Sequence, residues 1–480
     1  MSFRQLEADV LNQDPRLDVP LALADPARLE SDADELAQRA ALLVADGDPL
    51  AGADAYQRAV ELARRAELAP TRWLPWELAQ VQALSLGGRI EQAMTRAGEV
   101  AVAARRASEP TLFAEAALAV ASPWVPLGAD ARQAQLMINE ALDWLPRDQA
   151  ALRVRLIEGS LRAGMAGDAT MLGRLGDVEP ELMQQSAGPD PAVALDALRA
   201  LHALTWPRRQ PPTVRLELAQ RIAVMAARAG GAEAELEALR LAVTAHIELA
   251  DRLAAAAAAE HYGRRAAAAG SALHQWWAAL RSELLAALAG RTTIAGRHAA
   301  RAAGLQHEID PETVQVALHE RQLSDALRDG RLAELAAAMD GLDDDMSSHD
   351  PLYQIAGAAI AAAVGEQPTH DYLAQLLKSV RGTFRAGAGA ALCVLALGQV
   401  PPSPVLGEAL AVELQALSGC WIPIGGSAGV GPADAYLARL IELRGGSRDE
   451  VVRRRSQATS LAHKFAPDWV RFTEQFPTKE

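Results

Sequence analysis

Apolar residues recur along most of this chain with helical spacing, in segments that short polar turns separate at a regular interval. The turns are mostly a glycine followed by a polar residue, as in Gly47-Asp48 and Gly330-Arg331. Valine and isoleucine do not gather into runs that alternate with polar residues, which would be typical of strands. The pattern therefore predicts a chain made of helices, with almost no β-sheet.

The interval between successive turns is about 40 residues along most of the 480-residue chain. A glycine that ends a helix adopts the left-handed conformation without a Cβ clash, and the polar residue after it begins a second helix. A repeated interval of this length indicates one helix–turn–helix unit per period. The turns fall at Gly47, Gly88, Gly128, Gly167, Trp206, Ala250, Gly290, Gly330, Gly365, Gly398 and Gly446, which gives roughly eleven helix pairs.

The second helix of a pair carries a small residue, another residue four positions on, and a small residue three further, as tetratricopeptide repeats do. These offsets place the three residues on one face, where neighbouring helices approach closely. One pair cannot bury its apolar face, but a stack of pairs can. We therefore expect an all-α, right-handed superhelical solenoid of tetratricopeptide-like pairs with a concave inner face. The spacing occurs in Gly52-Tyr56-Ala59, Ala93-Ala97-Val100 and Ala295-Ala299-Ala302.

The domain organisation follows from where proline interrupts this pattern, because proline breaks helices. The first residues show no repeat and are expected to form a cap or a poorly ordered segment. Two sets of repeats then flank the proline-rich PRRQPP, and a third set follows PPSP. The predicted segments are 1–30 (cap), 31–206 (N-terminal repeats), 207–212 (proline-rich break), 213–400 (central repeats) and 401–480 (C-terminal repeats with a glycine-rich loop at 425–431).

Composition and charge restrict the function. Aromatic residues make up only 4% of the chain, and 47 basic against 61 acidic residues give a formal charge of −14. Such a charge disfavours direct binding of nucleic acid. Apolar stretches are too short to span a bilayer, and the N-terminal MSFRQLEADVLNQDPR lacks the apolar segment of a signal peptide. The two cysteines, Cys393 and Cys420, suit a reducing compartment, so we expect a cytoplasmic protein without a membrane partner.

The glycine-rich loop 425–431 reads GGSAGVG and raises the question of a phosphate-binding loop. Such a loop needs a lysine and a Ser or Thr after its last glycine, whereas Gly431 is followed by Pro432-Ala433. We therefore interpret the loop as a turn, with Pro432 in the first turn of the next helix. An anion bound at the N-terminus of that helix is the alternative.

Catalytic and metal-binding motifs are incomplete. His307-Glu308 begins like a zinc-protease motif, but the second histidine is replaced by Pro311. The acidic cluster Asp343–Asp345 lacks the spacing of a magnesium-binding Asp-Asp-x-x-Asp motif. The sequence thus predicts no catalytic residues, no metal site and no cofactor.

An ordered series of phrases resembles the C-terminal tetratricopeptide-like region of large bacterial ATP-dependent transcriptional regulators of the MalT-like and actinobacterial antibiotic-regulator type. The series runs through nearly the whole chain, although the phrases are largely packing residues. It includes AYQRAVELARRAEL (55–68), PTLFAEAALAVASPWVPLG (110–128), HQWWAALRSELLAALAGR (274–291) and GGSAGVGPADAYLARLIELRGG (425–446). The ATPase and DNA-binding parts of such regulators are missing here.

The resemblance implies a regulatory or scaffolding module without catalytic activity, acting in transcriptional control. It would bind a protein segment or a small effector on its concave face. A separate possibility, which follows from the repeat array itself, is that an exposed terminal repeat pairs with a second copy to form a homodimer. The alternative is a helical-repeat enzyme or accessory protein of a specialised-metabolite pathway, which would bind and convert a small molecule in the solenoid cavity.

The tryptophans are the candidate binding residues, because tryptophan supplies a large contact area at low entropic cost. Adjacent helical residues point about 100° apart, so only one of Trp276 and Trp277 can lie fully in the core. The other, with His274 and Gln275, could face the concave groove. The alternative is that tryptophans fill gaps between alanine-lined helices. The full candidate set is Trp276, Trp277, His274, Gln275, Trp73, Trp76, Trp124 and Tyr436.

Overall fold

The computed structural model describes residues 25–86, 89–120, 129–146, 148–166, 178–309, 311–339, 350–426 and 428–475. The chain forms two compact units, unit 1 (Met1–Ala163) and unit 2 (Gly164–Glu480). The described residues are helical almost throughout, in successive antiparallel pairs, so the prediction of an all-α helical-repeat solenoid is confirmed. The predicted break at 207–212 lies inside unit 2, and predicted residues 1–24 of the cap lie outside the described residues.

Unit 1 is a stack in which each of the first five described helices packs against the next one along the chain. Proline occupies the first position of several of these helices, where its missing N–H has no helical partner to lose. Alanines such as Ala33, Ala59 and Ala97 are fully buried between the helices. The helices are α1 (Pro26–Ala45), α2 (Pro49–Arg65), α3 (Pro70–Leu86), α4 (Ile90–Ala107), α5 (Pro110–Val120), α6 (Ala129–Trp144) and α7 (Ala150–Ala166), which contains the boundary between the units.

Unit 2 continues the pattern with sixteen described helices and one hairpin. Short 3₁₀ helices at Gln306–Glu308 and Pro467–Trp469 join some of them. The elements are α8 (Glu179–Ser186), α9 (Pro191–Leu204), α10 (Pro212–Ala229), α11 (Ala232–Glu248), α12 (Arg252–Ala268), α13 (Ala272–Leu288), α14 (Thr292–Leu305), α15 (Pro311–Asp329), α16 (Leu332–Met339), α17 (Pro351–Ala363), α18 (His370–Val380), α19 (Ala386–Ala396), α20 (Pro404–Gln415), β1 (Trp421–Ile424), β2 (Ala428–Pro432), α21 (Ala433–Leu443), α22 (Arg448–Phe465) and α23 (Val470–Gln475).

The predicted turns occur where the structure describes them. Gly290 and Gly330 both have φ of 69°, which a residue with a Cβ rarely adopts. At the last turn Gly445, with φ of 67°, takes the left-handed conformation in place of the predicted Gly446. Gly47, Gly365, Gly398 and Ala250 also have positive φ, whereas Gly88, Gly128 and Gly167 lie outside the described residues.

The small residues of the second helices are buried as the spacing predicts. Gly52 of α2 faces α1, and a Cβ there would collide with the side chain of Val44. In α4, Ala97 and Val100 are both fully buried. Small side chains at these positions therefore allow the two helices of a pair to pack closely.

The proline-rich break at 207–212 is a turn between α9 and α10 that unit 2 holds in place. Arg209 has φ of 51° and forms an ion pair with the buried Glu413 of α20 at 2.6 Å. The Arg215 guanidinium lies 3.9 Å from the ring centroid of Trp206 and donates to the backbone oxygen of Gln210 at 2.6 Å. Ionic and hydrogen-bonding contacts of two arginines, Arg209 within the break and Arg215 just after it, therefore fix the turn.

Among the described residues, the expectation of almost no sheet is correct except for one antiparallel hairpin, β1–β2, which pairs Trp421 with Pro432 and Ile422 with Gly431. Pro432 is extended and caps α21, whereas the sequence placed it in the first turn of that helix. The pairing explains the difference, because the next residue, Ala433, still donates to the backbone oxygen of Cys420 at 3.0 Å. The glycine-rich loop is therefore a strand and a turn, and Gly425 and Gly426 are the described residues of its tip.

The centre of unit 2 is α19, whose sequence AGAGAALCVLA is apolar on every side. A helix of that kind must be buried all round, and here neighbouring helices cover it. Burial raises the pKa of the Cys393 thiol in this helix to about 12 and that of Cys420 to about 11. Both thiols therefore stay protonated at neutral pH.

None of the described helices combines the length and the apolar character that crossing a bilayer requires.

Candidate functional site

The hairpin lies against the first helices of successive pairs in unit 2. β1 packs against α11 and α19, β2 packs against α15 and α19, and the turn between the strands contacts α13. We call the hairpin-contacting residues of α11, α13, α15 and α19 the first-helix face. Trp277, one of the two adjacent tryptophans of which the sequence expected one on the concave groove, belongs to this face, so the chain's own hairpin contacts a predicted binding residue.

One hydroxyl group fixes β2 to α15. The Ser324 Oγ donates to the backbone oxygen of Gly429 at 2.7 Å and lies 3.3 Å from the backbone nitrogen of the same residue. Gly429 also lies over the Trp421 ring, where a Cβ would come within 2.5 Å of the indole nitrogen. A side chain at this position would therefore collide with β1, the strand that pairs with β2.

The hairpin tip approaches α13 and α15 too closely for any side chain. Gly425 has φ of 57°, and a Cβ on it would overlap the buried Glu320 carboxylate. A Cβ on Gly426 would lie 2.7 Å from the ring of Trp277 and 2.8 Å from the Arg281 guanidinium. The glycines of this loop are thus required by docking as well as by the turn.

Arg281 is a buried cation beneath the hairpin tip. It is 1% exposed, and its Nε and Nη1 atoms have no hydrogen-bond partner among the described residues. Its guanidinium lies 5.3 Å from the ring centroid of Trp277. Burial, with a smaller contribution from Arg240, lowers the pKa of Arg281 to about 9. Two groups favour the charged form of Arg281. The ring of Trp277 lies against the guanidinium, and Glu320 raises the pKa that burial lowers.

Beside Arg281, a hydrogen-bonded chain joins three helices. The hydroxyl of Tyr262 lies 2.6 Å from His274 Nδ1, and His274 Nε2 lies 2.8 Å from the Glu233 carboxylate. A neutral imidazole with its proton on Nε2 satisfies both bonds, since the phenol then donates to Nδ1. Burial raises the pKa of Tyr262 to about 12, and the bond from His274 lowers that of Glu233. The phenol stays protonated at neutral pH and ties α12 to α13.

The structure brings the predicted residues of α13 together but does not place them on an open groove. Trp276 is 1% exposed, Trp277 is half-buried, and the two rings meet edge to face at 4.7 Å. His274, expected beside the groove, is buried because Tyr262 and Glu233 take both of its nitrogens. Gln275 is half-buried.

The other predicted residues are packing residues where they are described. Tyr436 of α21 is fully buried and donates to the backbone oxygen of Val430. In unit 1, Trp73 is 9% exposed and stacks with Arg64 at 4.4 Å, while the half-buried Trp76 packs against the same core. Trp124 lies outside the described residues. The gap-filling interpretation thus fits Trp73 and Trp276.

A groove that sequence reasoning missed lies on the other side of α13, between α12 and α14. Its volume is about 480 Å³. Its floor consists of small residues of α13, including Ala278, Ala279 and Ser282, so the flanking helices stand above it. The wall from α12 contains Leu253, which is 82% exposed. The spacing of small residues was visible in the sequence, but their position beneath a groove depends on the packing of three helices.

The walls of this groove are basic. Arg252 and Arg264 line it from α12, and Arg291 and Arg301 line it from the α14 side, whereas Glu260 is the lining carboxylate. Glu260 pairs with Arg264 at 2.5 Å. Arg252, Arg291 and Arg301 form no ion pair with any described residue, and all are at least partly exposed. The groove therefore carries three unbalanced positive charges on a protein of net charge −14.

His298 lies in the same wall and adds little charge at neutral pH. Burial lowers its pKa, and the neighbouring Arg301 and Arg297 lower it further. Within the described ranges, no three His, Cys, Asp or Glu side chains come together in a way that could hold a metal ion. The positive charge of the groove thus belongs to its arginines.

Comparisons with known proteins add little to this geometry. No protein-family model matches the chain, and no curated protein matches it. Among solved structures, a circular tandem repeat protein with novel repeat topology and enhanced subunit contact surfaces is 14% identical, with 94% of this chain and 91% of that chain covered. The TM-score of 0.17 means that the two backbones do not superpose as whole molecules.

Proposed function

We propose that this protein is a non-catalytic helical-repeat scaffold that binds a protein segment in the groove between α12 and α14. The observation that carries the proposal is this exposed groove, which has an apolar floor and a charged rim. Stable protein interfaces have the same arrangement, with apolar contact at the centre and polar groups around it. The exposed Leu253 at its edge is a side chain that a bound partner would cover.

The dimensions of the groove also favour a segment of polypeptide. The residues of α12 that line it run from Arg252 to Ala267, which is about 22 Å of helix at 1.5 Å per residue. That length fits a helical segment of about four turns.

Binding on the first-helix face, beside the candidate residues Trp277 and His274, has less support. The hairpin tip already contacts Trp277 and Arg281 there, and His274 is engaged with Tyr262. A partner at these positions would have to displace the hairpin and break the hydrogen bonds of Ser324. We therefore assign binding to the groove.

The enzyme alternative also has less support. Its best candidate is the Tyr262–His274–Glu233 chain, but the phenol is fully buried and its raised pKa opposes ionisation. A nucleophile needs an accessible and activated oxygen. Transcriptional control remains the setting we propose for the scaffold, and it rests on the sequence resemblance alone.

Selection of peptides from a random displayed library on the full-length protein tests the scaffold function. Ala256 and Ala257 are adjacent and exposed on α12, but only Ala256 lines the groove. We expect Ala256→Trp to fill the groove and weaken the selected peptides at least about tenfold, or about 1.4 kcal/mol. Ala257→Trp should leave their affinity unchanged. Failure to select any peptide, or equal binding to both variants, would contradict the proposal.

A further inference from the structure

We propose that the segment bound in this groove is an acidic helix. This inference rests on the proposed function and names the chemistry of its partner. The evidence is the placement of positive charge on both sides of a floor of small residues. Arg252 stands on one wall, and Arg291 and Arg301 stand on the other.

The three arginines of the groove favour an acidic partner. A guanidinium binds a carboxylate through two parallel hydrogen bonds, and these three have no such partner among the described residues. Other arginines of unit 2 do bind carboxylates, as in Arg215 with Glu248 at 2.9 Å and Arg454 with Asp434 at 2.6 Å. Carboxylates on both flanks of a bound segment would complete the pattern.

The backbone of the helices that line the groove favours a helical partner. Every wall and floor of the groove is a helix whose peptide groups already bond within it, so the groove offers no strand edge to an extended peptide. An extended segment on the alanine floor would leave its N–H and C=O groups without partners, which is costly away from water. A helix satisfies its own backbone and can approach closely over Ala279 and Ser282.

Nucleic acid fits the same charges less well. No Phe, Tyr or Trp side chain is among the residues that line the groove, so the imidazole of His298 is the one ring it offers to a base. A strand longer than the groove would also extend over a protein whose net charge is −14. A short acidic helix engages the arginines without that penalty.

Fluorescence anisotropy with the full-length protein and designed peptides tests the inference. The probe is a labelled peptide of glutamate and alanine, about 18 residues long so that it forms helix. Its matched partners replace every glutamate with glutamine, replace every glutamate with lysine, or add a central proline to the acidic sequence. At about 150 mM salt we expect the acidic peptide to bind at least about tenfold more tightly than each of the three.

Paired charge variants locate the binding. Arg252→Glu with Arg301→Glu should weaken the acidic peptide at least about tenfold. The control is Arg228→Glu with Arg297→Glu, which makes the same charge change at exposed arginines of unit 2 that lie outside the groove and form no ion pair with a described residue. It should change the affinity less than about threefold.

The outcomes separate the two proposals. If the glutamine or lysine peptide binds as tightly as the acidic one, and Ala256→Trp abolishes this binding, the inference of an acidic partner is wrong and the scaffold function stands. Equal binding of the proline peptide overturns the helical part. If no peptide depends on Ala256, both proposals fail. A single-stranded oligonucleotide of equal charge that binds more tightly, with the same variant dependence, would replace the acidic helix by nucleic acid.

Discussion

His202 shows what burial does to a single ionisable residue in this fold. It lies on α9 with 5% of its surface exposed. Burial first, and then Arg215 and Arg240, lower its pKa to about 4, while Glu237 acts in the opposite direction. An unfolded chain has an ordinary histidine pKa of about 6.5. Between these two values the unfolded chain binds a proton that the folded protein does not.

This difference predicts a pH dependence of stability. Because the unfolded state holds more protons between pH 4 and 6.5, acidification through that range lowers the free energy of unfolding, by up to about 3 kcal/mol from this residue. His202→Gln has no proton to gain, so its stability should fall less over the same range. Chemical unfolding of both proteins at pH 6.5 and pH 4.5 measures the two losses. Parallel losses would mean that His202 is not the group responsible.

The conformation and burial of a residue could be predicted from the sequence where its neighbours along the chain determine them. The left-handed conformation of Gly290 follows from a helix end and a polar neighbour, and the burial of Ala97 follows from its spacing. The interior position of His274 did not follow from its neighbours. Its partners come from two other helices, with Glu233 lying 41 positions earlier in the chain. Only the packing of those helices brings the three side chains together.

At the scale of elements, the hairpin is the feature that departs from the repeat. Ser324 and the hairpin tip hold it on the first-helix face, and its glycines fit where a Cβ would not. The sequence AGVG has almost no strand propensity of its own. Its strand conformation comes from helices far away in the sequence that cover both faces. Helix pairs, by contrast, were predictable because each is a local unit marked by its turn.

Docking of the hairpin tip predicts unequal effects of two similar substitutions. Gly425 and Gly419 both have positive φ, of 57° and 78°, but only Gly425 would place a Cβ against another residue, Glu320. Gly419→Ala should cost about 1 kcal/mol for its backbone conformation. Gly425→Ala should cost at least about 2 kcal/mol more, because it also pushes the tip away from a buried carboxylate. Urea unfolding followed by tryptophan fluorescence compares them, and equal losses would show that the tip is not docked in solution.

At the scale of the whole molecule, charge and local structure point in different directions. The chain carries −14, yet the groove between α12 and α14 is basic. Composition predicts the net charge but not the basic groove. The groove forms only because α13 presents small residues between the larger side chains of α12 and α14. The resemblance to transcriptional regulators stays a prediction, since the backbone alone is compatible with many functions.

The opposition between net charge and groove charge predicts how salt affects binding of the acidic peptide. At about 10 mM salt the Debye length is about 30 Å, longer than the groove, so the approaching peptide is repelled by the whole protein. At about 150 mM it is about 8 Å, and only the groove arginines act. The association rate constant should therefore rise with salt, while dissociation also accelerates as the ion pairs weaken. Stopped-flow anisotropy measures both rates. An association rate that falls with salt would mean that the negative charge lies away from the groove entrance.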